Sequence, residues 1–182
     1  MSRVPPSGGR LKTNEIKQRF DFVGRALQYN ARPMSHTYCR RLYHCVFSTK
    51  DRRPIIPLDL KERLWPYMAG IARINKFKAL AAGGMPDHAH LLLSLPSTMS
   101  HYKAIQLIKG GSSKWINDHL ARRTFSWQDG YGAFTIGISQ VEPTVRYIDN
   151  QERHHRRMTW DEELAKMLAM HGIRANTGAR DF

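Results

Sequence analysis

The amino-acid sequence predicts an α+β domain in which helices pack on a small, mainly antiparallel sheet. Two observations support this prediction. Segments typical of strands alternate along the chain with segments whose apolar residues recur at helical spacing. In addition, Asp129-Gly130 separates two short strand-like segments, which is a signal for a hairpin and therefore for an antiparallel pair.

The strands are predicted from β-branched, aromatic and aliphatic residues. They cover residues 42–49, 77–84 and 88–95, with two further short strands between residues 125 and 138. Because side chains alternate between the faces of a strand, Ala89, Leu91 and Leu93 are expected to enter the core. His88 and His90 then share the opposite face.

The helices are predicted over residues 58–75, 100–121, 139–157 and 160–170. Pro66 is expected to kink the first helix or to lie near its start. The Gly110-Gly111 pair is expected to divide the second helix into two pieces. Ser139 and Glu142 have the spacing of a capping box, so the third helix is expected to begin there.

The charge of the chain predicts a polyanionic partner. The sequence has 29 Lys and Arg against 15 Asp and Glu, a formal net charge of +14. Residues 1–33 contain seven basic and two acidic residues and are interpreted as a weakly ordered basic arm. Residues 34–182 are predicted to form a single domain, and its remaining net charge is also positive.

Several classes of protein are unlike this sequence. It has no apolar run near the roughly 18 residues that span a bilayer, and no apolar segment typical of a secretory signal near its start. Its two cysteines, Cys39 and Cys45, are too few for a disulfide scaffold and are expected to be reduced thiols. A cytoplasmic location without a membrane partner is therefore expected.

The histidine pair is the strongest local signal for chemistry. Two imidazoles on one strand face can converge on one metal ion or one phosphate. Two ligands do not complete a metal site, and two half-buried structural histidines are the alternative. On the third predicted helix, Tyr147, Gln151 and His154 lie along one flank, where a phenol could act as a nucleophile and an amide oxygen as a ligand. The alternative is a tyrosine at the edge of the core beside a solvated glutamine.

Four segments, in chain order, carry a resemblance to a known family. They are Tyr43-His-Cys-Val-Phe-Ser-Thr-Lys-Asp-Arg-Arg-Pro54, Pro86-Asp-His-Ala-His-Leu-Leu-Leu93, Ile108-Lys-Gly-Gly-Ser-Ser113 and Tyr147-Ile-Asp-Asn-Gln151. Together with Trp127 and Gly130-Tyr-Gly-Ala-Phe134, they resemble the single-tyrosine HUH transposases of the IS-two-hundred/IS-six-hundred-and-five insertion-sequence group. The resemblance covers about residues 38–157, and residues 1–33 have no counterpart in the compact members.

The resemblance implies a fold and an activity. The fold would be a ferredoxin-like or RRM-like sandwich with the histidine pair on a central strand, and residues 34–182 would form the HUH transposase domain. Members act as homodimers on single-stranded DNA with hairpin ends, and the histidines of one subunit can work with the tyrosine helix of the other. Tyr147 would be the nucleophile that forms a 5′-phosphotyrosine intermediate. His88, His90 and Gln151 would hold Mg²⁺ or Mn²⁺, with no small-molecule cofactor.

Basic side chains are expected to bind the DNA phosphates. The candidates are Lys50, Arg52, Arg53, Lys109, Lys114, Arg153, Arg156 and Arg157. Each can equally be an ordinary solvated charge. Tyr131, in Gly130-Tyr131-Gly132, is the other tyrosine considered as a nucleophile, and packing at the predicted hairpin is the interpretation favoured for it.

Three other functions are compatible with parts of this pattern. A domesticated relative would cleave or bind palindromes with the same site residues but without moving an element. A non-catalytic nucleic-acid-binding module on an RRM-like sheet would lack the metal site. A replication initiator or relaxase would share the histidine pair, but such enzymes usually have more histidines at the metal or further domains.

Overall fold

The computed structural model describes residues 39–120 and 124–174. Its sheet has four strands, which are β1 (Arg41–Ser48), β2 (Lys78–Met85), β3 (His88–Leu95) and β4 (Gly132–Thr135). Their order in the sheet is β2-β3-β1-β4, and every neighbouring pair is antiparallel. Helix α1 (Leu58–Ile74) follows β1, and helix α2 (His101–His119) follows β3. This β-α-β-β-α-β order is ferredoxin-like, which confirms the predicted α+β sandwich.

Helices α1 and α2 cover one face of the sheet and enclose the main apolar core. The core contains Cys45 and Phe47 from β1 together with Leu91 and Leu93 from β3. Helix α1 adds Leu64, and helix α2 adds Ile105 and Ile108. The predicted core face of the third strand is therefore confirmed. Because the strand is central and its pairing is fixed on both sides, its opposite face is held in an equally defined position.

Three shorter helices cover the other face. They are α3 (Val141–Asp149), α4 (Gln151–His154) and α5 (Trp160–Met170). Val46 and Phe134 of the sheet pack there against Trp160, Leu164 and the two following apolar residues of the α5 stripe. The described residues contain no helix that is long and apolar enough to cross a membrane.

Helix α3 approaches the sheet closely at a glycine. A Cβ atom at Gly83 would lie 2.7 Å from the backbone oxygen of Ile148 and 2.9 Å from its side chain. Only glycine leaves room for α3 at this distance from β2. The glycine therefore sets the height of α3, and of the side chains it carries, above the sheet.

Two predictions about the second half of the chain are wrong for packing reasons. Helix α2 is continuous through Gly110 and Gly111, because Gly111 lies against Ile71 and lets α2 approach α1 instead of ending a helix. No hairpin forms at Asp129-Gly130 among the described residues, since β4 and an isolated bridge at Trp127 both pair with the same edge of the β1 segment. Side chains of α2 bind the backbone of this segment in place of a hairpin partner.

The predicted third helix also differs. Ser139 lies in a 3-10 turn (Ile138–Gln140), and α3 begins after it at Val141. The helix is interrupted at Asn150, so residues 139–157 form two helices instead of one. A capping box is formed by Thr159 and Glu162, at the start of α5. Helix α1 runs from Leu58 to Ile74 with Pro66 inside it. The predicted arm, residues 1–33, lies outside the described residues.

Candidate functional site

Two buried histidines lie beside each other on the face of the sheet that α3, α4 and α5 cover. His88 and His90 have 1% and 0% of their surface exposed, and their ring centroids are 5.1 Å apart. Nδ1 of His88 lies 2.8 Å from Oδ1 of Asp87, and Nδ1 of His90 lies 3.1 Å from Nε2 of His44. These contacts use one nitrogen of each ring and leave both Nε2 atoms for the residues of the covering helices.

The covering helices add an amide and a phenol to the histidine pair. Gln151, the first residue of α4, is buried, and its Oε1 lies 3.4 Å from Nε2 of His88. Tyr147 lies one turn earlier on α3, with its ring centroid 5.8 Å from that of His90. One chain therefore brings together all four residues that the resemblance implied, without a second subunit.

A fifth residue, Glu163 of α5, lies between the phenol and the histidines. Its Oε1 accepts hydrogen bonds from the Tyr147 hydroxyl and from Nε2 of Gln151, the latter at 3.1 Å. Oε1 also lies 3.5 Å from Nε2 of His90, and Oε2 lies 3.7 Å from Nε2 of His88. Only 1% of Glu163 is exposed, so the cluster has a buried carboxylate at its centre.

The environment fixes the charge of these groups. Burial by itself would raise the pKa of Glu163, but the His90 imidazole and the hydrogen bonds from Tyr147 and Gln151 outweigh it and hold the pKa well below its usual range. Burial and the neighbouring carboxylate raise the pKa of Tyr147 above its usual value. Burial lowers the pKa of His90 to about 4. At neutral pH the cluster therefore combines a charged carboxylate with a neutral imidazole and a protonated phenol.

These residues fit a divalent cation. Nε2 of His90 and Oε2 of Glu163 are buried, and neither has a hydrogen-bond partner among the residues that the structure describes. Ligand atoms of His88, His90 and Glu163 all lie within 4.8 Å of one another. Neutral imidazoles and carboxylates are common ligands of divalent ions, and the ion would balance the buried negative charge.

Two further histidines border the carboxylate. Nε2 of His154 lies 3.4 Å from the Tyr147 hydroxyl oxygen and 3.6 Å from Oε1 of Glu163. Nε2 of His155 lies 2.9 Å from Oε2 of Glu163 but is not oriented to form a hydrogen bond with it. The Trp160 ring packs on His88 with centroids 4.3 Å apart and closes the site on the α5 side.

Two cavities reach the Tyr147 phenol from outside. The first, of about 610 Å³, has Arg146, Arg153 and Arg157 in its wall together with Tyr147. The second, of about 330 Å³, has both Tyr147 and Glu163 in its wall. The phenol is therefore reachable from a strongly basic surface, and the buried carboxylate is reachable beside it.

Three of the eight predicted DNA-binding residues lie near this surface. Arg153 and Arg157 line the first cavity, and Arg156 is exposed on the same segment. Arg146, which was not among the predicted residues, lines that cavity as well and forms an ion pair with Glu142 at 2.7 Å. The other five predicted residues lie on other elements.

Those five residues mostly have partners within the chain. Arg52 forms an ion pair with Asp161 at the start of α5, and Lys114 pairs with Asp118 at 2.7 Å. The half-buried Lys109 donates hydrogen bonds to the backbone oxygens of Gln128 and Gly130 and so holds the loop before β4. Lys50 and Arg53 lie at the turn after β1. Tyr131 packs against the core on the α1 and α2 side.

Comparison with known proteins identifies the class of protein that this fold and cluster define. Residues 37–151 match the family model described as "Transposase IS200 like". This match covers more than half of the 182 residues. The chain belongs to the IS200-like transposase family. The match ends at Gln151 and so includes the histidine pair and the tyrosine but not α5.

Individual relatives agree with this class. The chain is 26% identical over 124 residues to the transposase of the insertion sequence IS200 of Salmonella typhimurium, covering 65% of this chain and 81% of the relative. It is 24% identical over 115 residues to the ISDra2 transposase TnpA of Deinococcus radiodurans, covering 60% and 82%. A solved REP-associated tyrosine transposase, bound to a REP hairpin, has the same fold with a TM-score of 0.51 and 16% identity, covering 83% of this chain and 93% of that one.

The sequence analysis did not include Glu163 in the site. A signal was nevertheless present, because Trp160, Leu164, Met167 and Leu168 form the apolar stripe of α5 and Glu163 lies on the same side. An acidic residue within an apolar stripe is almost never fully buried unless it is paired. The sequence offered a signal for Arg146 as well, because it is a basic residue directly before Tyr147, and the structure leaves it exposed.

Proposed function

We propose that this protein is a metal-dependent DNA transposase that cleaves and rejoins single-stranded DNA through a covalent bond to Tyr147. The observation that carries the proposal is the hydrogen bond that links the Tyr147 hydroxyl to the buried cluster containing His88 and His90. An ion bound by the cluster would hold a phosphate next to the Tyr147 hydroxyl. In-line attack requires the nucleophile to be close to the phosphorus in this way.

The ion is expected to be Mg²⁺ or Mn²⁺, because imidazole nitrogens are combined with amide and carboxylate oxygens. We assign its binding to His88, His90 and Gln151. When bound, the ion supplies positive charge that polarises the scissile phosphate. The contacts of Asp87 and His44 with the Nδ1 atoms hold the two imidazoles in the orientation that presents Nε2.

In strand cleavage, the phosphorus exchanges its bond to the 3′ oxygen for a bond to the tyrosine oxygen. Oη of Tyr147 attacks the phosphorus, a bond forms between these atoms, and the bond from phosphorus to the 3′ oxygen breaks. The phenolic proton moves toward Oε1 of Glu163, which already accepts it in a hydrogen bond, and the departing 3′ oxygen takes up a proton from water. The products are a 5′-phosphotyrosine and a free 3′-OH. Attack by a 3′-OH on the phosphotyrosine reverses the step and rejoins DNA without ATP.

The basic surface beside Tyr147 is the part that we assign to the DNA strand. Arg146, Arg153 and Arg157 line one cavity with the phenol, so phosphates next to the cleaved bond would meet positive charge. The related REP-associated transposase is bound to a hairpin, which supports a folded single strand as the substrate here.

The test is covalent capture of single-stranded oligonucleotides that carry the palindromes flanking the gene, in the presence of Mn²⁺. Tyr147→Phe is expected to abolish the protein–DNA adduct, with a loss of about 10⁴-fold or more, because the nucleophilic oxygen is absent. DNA binding, measured by fluorescence anisotropy, should stay within about twofold. Tyr131→Phe is the matched control and should form the adduct normally. An adduct formed by Tyr147→Phe would overturn the assignment of the nucleophile.

Salt dependence tests the DNA surface. The logarithm of the affinity is expected to fall linearly with the logarithm of salt concentration, and Arg153→Ala or Arg157→Ala should each reduce the slope by about 0.7. Arg73→Ala, an exposed arginine at the end of α1 on the opposite side of the sheet, should leave the slope unchanged. An equal effect of all three substitutions would contradict a localised DNA surface.

Two alternatives are separated by the same experiments. A non-catalytic module would bind hairpin DNA without Mn²⁺-dependent nicking, and the buried cluster of His88, His90 and Glu163 favours the enzyme over it. A domesticated relative would cleave the same substrate but would lack paired flanking palindromes in the genome. The homodimer stays a prediction, and light scattering tests it by measuring the molecular mass of the protein in solution. The cytoplasmic location likewise stays a prediction.

A further inference from the structure

We propose that Glu163 is a ligand of the same divalent cation as His88 and His90, and that α5 is therefore part of the catalytic site. The inference rests on the proposed function, because it adds a ligand to the ion that strand cleavage would use. The family match ends at residue 151. The proposed ligand thus lies beyond the part of the chain that identifies the family.

The spacing of the donor atoms supports a shared ion. Adjacent ligands of an octahedral ion with bonds of about 2.1 Å are about 3 Å apart. Nε2 of His88 lies 3.7 Å from Oε2 of Glu163. Oε1 of Gln151 lies 3.4 Å from Nε2 of His88. Each pair is slightly wider than adjacent ligands, so small inward movements of the side chains suffice.

The charge balance also favours a bound cation. The ion pairs of Glu163 within the described part of the chain are all with histidines, and none is with a lysine or an arginine. A buried carboxylate without a charged partner is costly, because the protein interior solvates charge poorly. Two of the buried atoms without a hydrogen bond among the described residues, Oε2 of Glu163 and Nε2 of His90, are both of the kind that binds metal. A divalent ion satisfies both at once.

The local sequence of α5 orients Glu163 toward the histidines of β3. The capping box of Thr159 and Glu162 starts α5 directly before this residue. Trp160 and Leu164 then pack on the sheet, so the helix turns the intervening Glu163 toward β3. An aliphatic residue here would extend the apolar stripe, whereas an acid stabilises the fold only with a partner. The position is therefore built for binding and not for packing.

The two carboxylate oxygens have different tasks. Oε1 accepts the hydrogen bonds of Tyr147 and Gln151, while Oε2 has no hydrogen bond from any described residue. One side chain can thus hold the nucleophile with one oxygen and the ion with the other. This arrangement would hold the Tyr147 hydroxyl at a fixed distance from an ion bound at Oε2.

The test is Mn²⁺ binding by the full-length protein without DNA, measured by calorimetry and by the electron paramagnetic resonance of free Mn²⁺. Glu163→Gln keeps the size of the side chain and an oxygen for the Tyr147 hydrogen bond, but removes the charge. We expect its affinity for Mn²⁺ to fall by at least about tenfold. Glu162→Gln makes the same change at the exposed neighbour and should keep the affinity within about twofold, since glutamine also serves in a capping box.

The outcomes separate the two proposals. If Glu163→Gln binds Mn²⁺ as tightly as the unsubstituted protein, while His88→Ala does not, the role of Glu163 is refuted and the proposed function stands. If the unsubstituted protein does not bind Mn²⁺, both proposals lose their metal site. A selective loss in Glu163→Gln and in His88→Ala supports both.

A second variant covers the case in which Glu163→Gln does not fold, which circular dichroism in the presence of a chelator detects. Glu163→Asp keeps the charge on a shorter side chain. Its affinity for Mn²⁺ should lie between that of the unsubstituted protein and that of His88→Ala. An affinity of Glu163→Asp equal to that of His88→Ala in a folded protein would mean that a carboxylate at this position does not bind the ion, and would contradict the proposal.

Discussion

The two faces of strand β3 are buried to the same degree but are built from different chemistry. On the α1 and α2 side, β3 contributes Ala89, Leu91 and Leu93 to a core of aliphatic and aromatic side chains. On the α3 to α5 side, the same strand contributes His88 and His90 to a cluster with a buried carboxylate. One strand therefore serves two purposes by alternation alone.

This difference suggests a separate contribution of each face: the apolar face to stability and the polar face to binding. Apolar burial stabilises a fold without any particular partner, whereas buried polar groups stabilise it only when each is satisfied. The polar face leaves several such groups unsatisfied among the described residues, including Nε2 of His90 and Oε2 of Glu163. We therefore expect substitutions on this face to change binding and chemistry, and substitutions on the other face to change the free energy of unfolding.

The largest effect is expected at the centre of the polar face. His90→Ala should lower Mn²⁺-dependent cleavage by about 10³-fold or more, because a proposed ligand of the ion is lost. The measurement is single-turnover cleavage together with Mn²⁺ titration. His119→Ala, an exposed histidine at the end of α2, is the control and should change neither quantity. Unchanged Mn²⁺ affinity in His90→Ala would remove the functional contrast between the faces.

The neighbouring residue on the other face should behave in the opposite way. Leu91→Ala is expected to lower the free energy of unfolding by about 2–5 kcal/mol, because it leaves a cavity in the fully buried core. Urea denaturation measures this loss. The folded fraction should still bind Mn²⁺ with an affinity within about twofold of the unsubstituted protein, if the two faces are independent. A parallel loss of Mn²⁺ affinity would show that the faces are coupled.

An intermediate effect is expected where a helix of the polar face touches the sheet. Gly83→Ala forces α3 away from β2, since the new Cβ would lie 2.7 Å from the Ile148 oxygen. We expect a loss of about 1–3 kcal/mol in unfolding free energy and a fall in cleavage of about 10²-fold as Tyr147 moves. Gly110→Ala, in α2 with no atom within 4 Å, should instead stabilise by up to about 1 kcal/mol. Equal effects in both variants would contradict the close-approach argument.

The smallest effect is expected at an exposed ion pair. Arg52→Ala removes the contact with Asp161 at the start of α5. Because both side chains are largely exposed, the loss of unfolding free energy should be below about 1 kcal/mol. Thermal denaturation at low and high salt measures it. A loss of several kcal/mol would indicate that this ion pair, and not packing on the sheet, holds α5 in place.

Short-range patterns predicted most of the elements. The strand of residues 88–95 and the helix of residues 160–170 have the predicted bounds, because periodicity and capping are properties of adjacent residues. The Gly110-Gly111 pair was predicted to divide the helix, but the small size of Gly111 instead allows a contact with Ile71, which is distant in sequence. The absent hairpin has the same cause, because bonds from α2 side chains fix the segment before β4.

The sequence by itself determined the alternation that puts His88 and His90 on one face, and the spacing of Tyr147 and Gln151 on one flank. These relations follow from the repeat of a strand or a helix. Only the tertiary structure decided that Glu163 of α5 lies among them, and that Arg146, Arg153 and Arg157 border the phenol. Such contacts join segments that no local period connects, so they depend on how the helices pack on the sheet.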